Sequence, residues 1–285
     1  AEQTEQFVFE ADPVAWRAEL DDYLDVLIEP SAAVDKFSRG SVLVVGGSTR
    51  FPGAPIMAAK AAARAGAGYV TLAVPESIAA LAQTHLLEIP VVGLPCDADG
   101  TFSAAAAERI AKLAANNTAT LVGPGMRTSA GTDAVMSVLL NSDASLVVDA
   151  DGLNSLAHIV SGKLDEYPEI TRRAYPLVLT PHRGELGRLV GMENPPDSLV
   201  GQLSAARRII WSNGGTELVI VAKGSATGCV GVGQAILPKP GPAALATAGS
   251  GDVLGGIIAS LLAQNGGEVG NLPLLCSLAC EIHGY

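Results

Sequence analysis

The sequence predicts an α/β protein, with a mostly parallel sheet and helices packed on both of its faces. Three observations carry that expectation. From residue 41 onward, short runs of β-branched and apolar residues alternate with alanine-rich stretches at helical spacing. Hydrophobic residues make up 48% of the 285, chiefly Ala, Val and Leu, and aromatics only 4%, a composition that suits helices packed closely on a sheet buried on both faces. Nothing resembling a linker interrupts residues 40–285. The chain therefore reads as one domain over residues 36–285, preceded by an acidic extension over residues 1–35.

In the extension, Asp12-Pro13 is a helix-start signal, and Trp16, Leu20, Tyr23, Leu24 and Leu27 recur at helical spacing. These predict a short helix docked on the main domain or on a neighbouring subunit. Val42–Val45 is a short apolar strand closed by Gly46-Gly47-Ser48, and Ala54–Ala65 is an alanine-rich helix. Gly66-Ala67-Gly68 then turns the chain into the strand Tyr69–Val74. Further strands are predicted at Ala119–Val122, Leu146–Val148, Leu177–Thr180 and Leu218–Val221, each closed by Gly, Asp or Pro. Helices are predicted at Ser103–Ala115, Ala130–Leu140, Leu199–Ser212 and Val253–Leu262.

Charge and cysteine usage narrow the function classes. A net charge of −11 argues against nucleic-acid backbones as partners. It also disfavours anionic ligands at long range, so a phosphate site must work through local dipoles, lysine or a metal. The apolar stretches are too short or too interrupted to span a bilayer, and no secretory leader opens the residues given, so no membrane is expected. Cys96, Cys229, Cys276 and Cys280 show no metal-ligand or disulfide-framework spacing, although Cys276 and Cys280 are spaced as on one helix face. They read as buried free thiols in a reducing cytoplasm.

Chemistry in such sheets collects at the carboxyl ends of the strands. Those ends carry Gly46-Gly47-Ser48, Gly123-Pro124-Gly125, Asp149-Ala150-Asp151-Gly152, Thr180-Pro181-His182-Arg183-Gly184-Glu185 and Lys223-Gly224-Ser225-Ala226-Thr227. With Gly249-Ser250-Gly251-Asp252, they suggest a continuous ligand groove. The last of these runs into an apolar helix, whose first-turn N–H groups and positive dipole end suit a phosphate. Asp252 at that junction has two readings, a base for a hydroxyl about to meet the phosphate, or a helix cap. Gly123 and Gly125 also fit simple turn formation, and His182 a helix-capping role. Asp149 and Asp151 suit either Mg²⁺ through water or the cap of the following helix. Neither a Gly-x-x-x-x-Gly-Lys-Ser/Thr loop nor a Gly-x-Gly-x-x-Gly turn after the first strand is present.

Taken in order, these clusters, with Pro52-Gly53-Ala54, Arg64-Ala65-Gly66-Ala67-Gly68 and Asp151-Gly152-Leu153-Asn154, closely resemble the NAD(P)H-hydrate dehydratase family. This is the carbohydrate-kinase-like, YjeF C-terminal type, and the resemblance covers roughly residues 36–285. It implies a three-layer α/β/α ribokinase-like fold and a cytoplasmic, homotetrameric lyase. The implied activity removes water from the S epimer of hydrated NADH or NADPH, driven by ADP in most bacterial members or ATP in eukaryotic ones, with Mg²⁺. By the family pattern Ala54, Gly125, His182 and Asp252 line the hydrated nicotinamide nucleotide. Lys223, Gly224, Ser225, Ala226, Thr227 and Gly251 hold the adenine nucleotide. Asp252 is the implied base and Gly249, Ser250 and Gly251 the anion hole.

Three departures stand out. Ser250 replaces the usual Thr, Arg183 stands where Pro is common, and members usually continue beyond His283-Gly284. The residues given read as a dehydratase portion without an epimerase portion, so the expectation is reliance on a separate epimerase or on spontaneous epimerisation. Two rivals remain: a small-alcohol kinase of the same fold, acting on a hydroxymethylpyrimidine or thiazole, and a non-catalytic nucleotide sensor. The retained carboxylate of Asp252 argues against the sensor.

Overall fold

The computed structural model describes residues 15–27, 39–167, 170, 173–213, 217–267 and 270–285. Nine strands among them form one sheet: β1 (Ser41–Val45), β2 (Tyr69–Pro75), β3 (Val91–Leu94), β4 (Ala119–Val122), β5 (Ser145–Val148), β6 (Leu177–Leu179), β7 (Leu218–Ala222), β8 (Gly228–Gly231) and β9 (Gln234–Ile236). Their order is β3-β2-β1-β4-β5-β6-β7-β8-β9. Every pairing from β3 to β7 is parallel, while β8 and β9 close one edge as an antiparallel hairpin.

Strand side chains alternate between two cores. Val42 and Val44 face one layer, and Leu43 and Val45 the other. The first layer holds α1 (Gly53–Arg64), α2 (Glu76–His85), α8 (Ser250–Gln264) and α9 (Leu272–Gly284). The opposite layer holds α3 (Ala107–Ala115), α4 (Ala130–Leu140), α5 (Asp151–Ile159), α6 (Arg183–Leu189) and α7 (Leu199–Asn213). This is the three-layer α/β/α architecture expected from the alternation. Among the described residues, no helix is long and apolar enough to cross a membrane.

The small residues of α1 and α8 set the depth of the site. A Cβ at Gly256 would overlap the Ala58 carbonyl and lie 2.9 Å from the Ala61 Cβ, and one at Gly255 would lie 3.2 Å from Leu121 Cδ1. The Gly255-Gly256 pair therefore lets α8 settle against both α1 and strand β4. That approach brings the amino end of α8 down to the carboxyl edge of the sheet.

The extension departs from its expected helix. Trp16 is extended: its N–H donates to the Ala235 carbonyl at 3.0 Å, and its own carbonyl accepts from Leu237 N–H at 2.8 Å. The unpaired backbone of edge strand β9 competes for this segment and wins. Among its described residues, Leu20–Asp25 alone is helical, as a 3₁₀ segment with Tyr23 buried. Asp12-Pro13 lies outside the described residues. Of the four cysteines, Cys229 and Cys276 are buried as expected, whereas Cys96 and Cys280 are partly exposed; all four are free.

Candidate active site

The strand order reverses between β1 and β4, and loops from both meet there. Gly47 N–H donates to the Pro124 carbonyl at 2.7 Å, and Ser48 Oγ to the Gly125 carbonyl at 2.8 Å. Gly123 and Gly125 have φ of +123° and +68°, so both turns need glycine. Ala54, in the first turn of α1, packs against Gly125; a Cβ added at Gly125 would lie 3.1 Å from that of Ala54. This pair lies at the loops after β1 and β4.

A cleft of about 950 Å³ lies over β6, β7 and the amino end of α8. His182, the whole Lys223–Thr227 segment and Gly249–Asp252 line it, whereas Ala54 and Gly125 do not. A parallel bridge between His182 and Lys223 continues the β6/β7 ladder, which fixes the two residues side by side.

Gly249, at φ +90°, is the N-cap of α8, so Asp252 stands at the third helical position and is not the cap. Ser250 N–H turns back to the Thr247 carbonyl, and Val253 N–H bonds the Gly249 carbonyl. Among the described residues, this leaves Gly251 and Asp252 N–H as unspent donors at the positive end of the helix. Burial raises the Asp252 carboxyl to about 6, with Asp149 and Asp151 adding repulsion and Lys223 opposing.

Lys223 is anchored from below. Its Nζ donates to Asp149 Oδ1 at 2.6 Å, and Thr180 Oγ1 donates to the same oxygen at 2.7 Å. Asp149 is only 1% exposed, so this carboxylate is a fixed counter-charge and caps no helix; Ala150 is the N-cap of α5. Asp151 is likewise engaged, accepting from Arg127 N–H and from Asn154 Nδ2.

His182 does cap a helix. Its Nδ1 accepts from Gly184 N–H at 3.0 Å and Glu185 N–H at 3.3 Å, and Glu185 Oε2 accepts from His182 N–H at 2.8 Å. This reciprocal capping holds α6, which carries two glycines among its seven residues. With Nδ1 occupied, the ring proton sits on Nε2, 3.3 Å from Glu185 Oε1. Burial, aided by Lys223 and Arg188, lowers the histidine pKa, while burial pushes Glu185 up to about 7.

The sequence patterns assign no role to several residues of this cleft: Glu185, which lies within the Thr180–Glu185 cluster, and Arg17, Lys239 and His283, whose Nε2 lies 3.2 Å from Ser250 Oγ. His283 follows Cys276 and Cys280 along one face of α9, and that spacing was the one signal available. Among the described residues, no three His, Cys, Asp or Glu side chains converge as a metal site.

Residues 42–284 match the carbohydrate-kinase domain model described as NAD(P)H-hydrate dehydratase. Over 234 residues the chain is 43% identical to the bifunctional NAD(P)H-hydrate repair enzyme Nnr of Salinibacter ruber, covering 80% of this chain and 41% of that one. The chain thus spans about two fifths of the length of the curated relatives it matches. A ribokinase-like superfamily protein from Enterococcus faecalis shares the fold, with a TM-score of 0.74 at 23% identity over 94% of this chain and 86% of that one. The ADP/ATP-dependent NAD(P)H-hydrate dehydratase of Bacillus subtilis, co-crystallised with ATP and Mg²⁺, gives 0.64 at 26% identity, covering 90% and 83%.

Proposed function

The chain belongs to the NAD(P)H-hydrate dehydratase family, and from that premise we propose that it returns the S epimer of hydrated NADH or NADPH to NAD(P)H at the expense of ADP or ATP. The observation that carries this reading is the position of Asp252. Its carboxylate stands beside two unspent helix N–H donors and faces Lys223 across the cleft. A carboxyl raised to about 6 is ionised at neutral pH, yet is basic enough to take a hydroxyl proton.

Asp252 takes the proton of the C6 hydroxyl as that oxygen bonds to the terminal phosphorus of ADP, and AMP leaves. The ring nitrogen lone pair then expels phosphate from C6, and loss of a proton from C5 restores the double bond. The sum is hydrate plus ADP giving NAD(P)H, AMP and phosphate; with ATP the product is ADP. Gly249, Ser250 and Gly251 cradle the transferring phosphoryl group, with the N–H groups of Gly251 and Asp252 as donors. Lys223 to Thr227 hold the adenine nucleotide, and Ala54, Gly125 and His182 the hydrated nicotinamide.

The donor set suits magnesium carried by phosphate oxygens and water, because Asp149 is already bonded to Lys223 and Thr180. Asp252 and Glu185 are the cleft carboxylates left to hold such an ion. When bound, it would neutralise phosphate charge. The same reading places the protein in the cytoplasm as a homotetramer, and the exposed Leu20, Leu24 and Leu27 support subunit packing. A strict monomer in light scattering at micromolar concentration would overturn the tetramer.

The activity test incubates the protein with hydrated NADH, Mg²⁺ and either ADP or ATP. Return of the reduced-nicotinamide absorbance is expected. Nucleotide consumption without that return would indicate a kinase, and nucleotide binding without turnover a sensor.

A further inference from the structure

The family match begins at residue 42, yet Arg17, within residues 15–27, lines the cleft. Two anchors hold this segment in place. Trp16 joins the sheet edge through both of its backbone groups, and its side chain packs against the α1/α8 core. Tyr23 is buried, its hydroxyl 2.9 Å from Ser277 Oγ and 2.8 Å from Glu281 Oε1, which also accepts from Lys239 N–H at 3.1 Å. One carboxylate thus ties the extension and the proline-rich wall of the cleft to α9.

Alternation along the Ala15–Arg17 strand decides where Arg17 points. Trp16 faces the α1/α8 layer, while Ala15 packs with the opposite layer, as do Leu199 and Leu237. Arg17 shares the side of Ala15 and lines the cleft with Leu199 and Leu237. It is exposed, and among the described residues it pairs with no carboxylate. A planar cation on the side of the cleft that Leu199 and Leu237 line suits the face of an aromatic base.

We propose that the extension completes the nucleotide site, with Arg17 covering the base of the adenine nucleotide against Leu199 and Leu237. The inference rests on the nucleotide reading of the cleft. Stacking at an exposed position corresponds to roughly a 2- to 5-fold change in affinity. The test titrates ADP by calorimetry into the wild-type protein and the Arg17→Ala and Arg17→Lys variants, and follows hydrate turnover in all three. Arg17→Ala should raise the ADP Kd and KM by that factor and leave kcat and the hydrate KM unchanged. Arg17→Lys should restore little, because an ammonium lacks the planar face. Wild-type ADP binding with an unchanged Arg17→Ala variant would overturn this inference alone. Full rescue by lysine would also overturn it, by moving the contact to the phosphates. A wild-type protein that binds no ADP would overturn the nucleotide reading itself.

Discussion

Replacing Asp252 with Asn separates the proposed chemistry from stability, because the two change in opposite directions. The folded carboxyl lies at about 6, against about 3.9 for an unfolded aspartate. Two pKa units correspond to about 3 kcal/mol, and partial exposure to the cleft reduces that to about 1–2 kcal/mol. The sign follows from proton binding. Between pH 4 and 6 the folded state holds a proton that the unfolded state has released, so wild-type stability declines as pH rises through that window. Asparagine does not titrate. The variant should therefore gain about 1–2 kcal/mol on the wild type between pH 4 and 7, read by denaturant unfolding at a series of pH values.

Turnover should move the other way, falling by about 10²–10⁴-fold at neutral pH. The wild-type kcat/KM should show an acid limb near pH 6, which the variant's residual activity lacks. Nucleotide affinity should hold or tighten, since a negative charge beside the phosphates has gone. Near-normal turnover of the Asn variant would refute the base assignment. A stability gap that stays constant with pH would refute the raised carboxyl.

Three further substitutions probe the frame around Asp252. Lys223→Met leaves Asp149 buried with Thr180 as its remaining side-chain donor, and should cost about 3 kcal/mol in denaturant unfolding as well as weakening ADP binding. Gly224→Val places branched bulk beside the Ala226 carbonyl, which a Cβ would already meet at 3.2 Å. It should weaken ADP affinity about tenfold with binding of the hydrated dinucleotide little changed, and equal loss of both would indicate misfolding. Gly256→Leu forces α8 away from Ala58 and Ala61, and should lower stability by about 2–3 kcal/mol or more and reduce activity with it.

Most of the parallel sheet was legible because buried strands such as Ala119–Val122 are continuous apolar runs with clear stops. The edge hairpin was not. β8 is Gly-Cys-Val-Gly and β9 only three residues long, so neither carries a period to read. α6 was hidden because Gly184 and Gly187 lower its helix propensity, and it forms through the capping by His182 and Glu185. In the candidate site, the clusters Lys223–Thr227 and Gly249–Asp252 do line one cleft, while Ala54 and Gly125 lie outside its lining. The Asp149–Lys223 pair joins residues 74 apart, and no local pattern announces such a contact. Arg17 is less legible still, since its position depends on an edge pairing with Ala235 and Leu237 that the apolar spacing of the extension obscured.

The charge inventory of the cleft bears on how a chain of net charge −11 would hold the proposed polyphosphate. His182 and His283 both have lowered pKa values, chiefly through burial, so they contribute little positive charge at neutral pH. Lys223 is largely offset by Asp149. Fixed cations at the strand ends are therefore few, and long-range steering of an anion is weak. Attraction must come at short range, from the helix N–H groups that Gly249 exposes and from a Lys223 already aimed by a buried partner. Such a site pays little reorganisation when a phosphoryl group arrives, because its donors are held by backbone and by Asp149 before the ligand enters. Burial, with Asp149 and Asp151 adding repulsion, keeps Asp252 near 6 against the opposing charge of Lys223, and so keeps it basic.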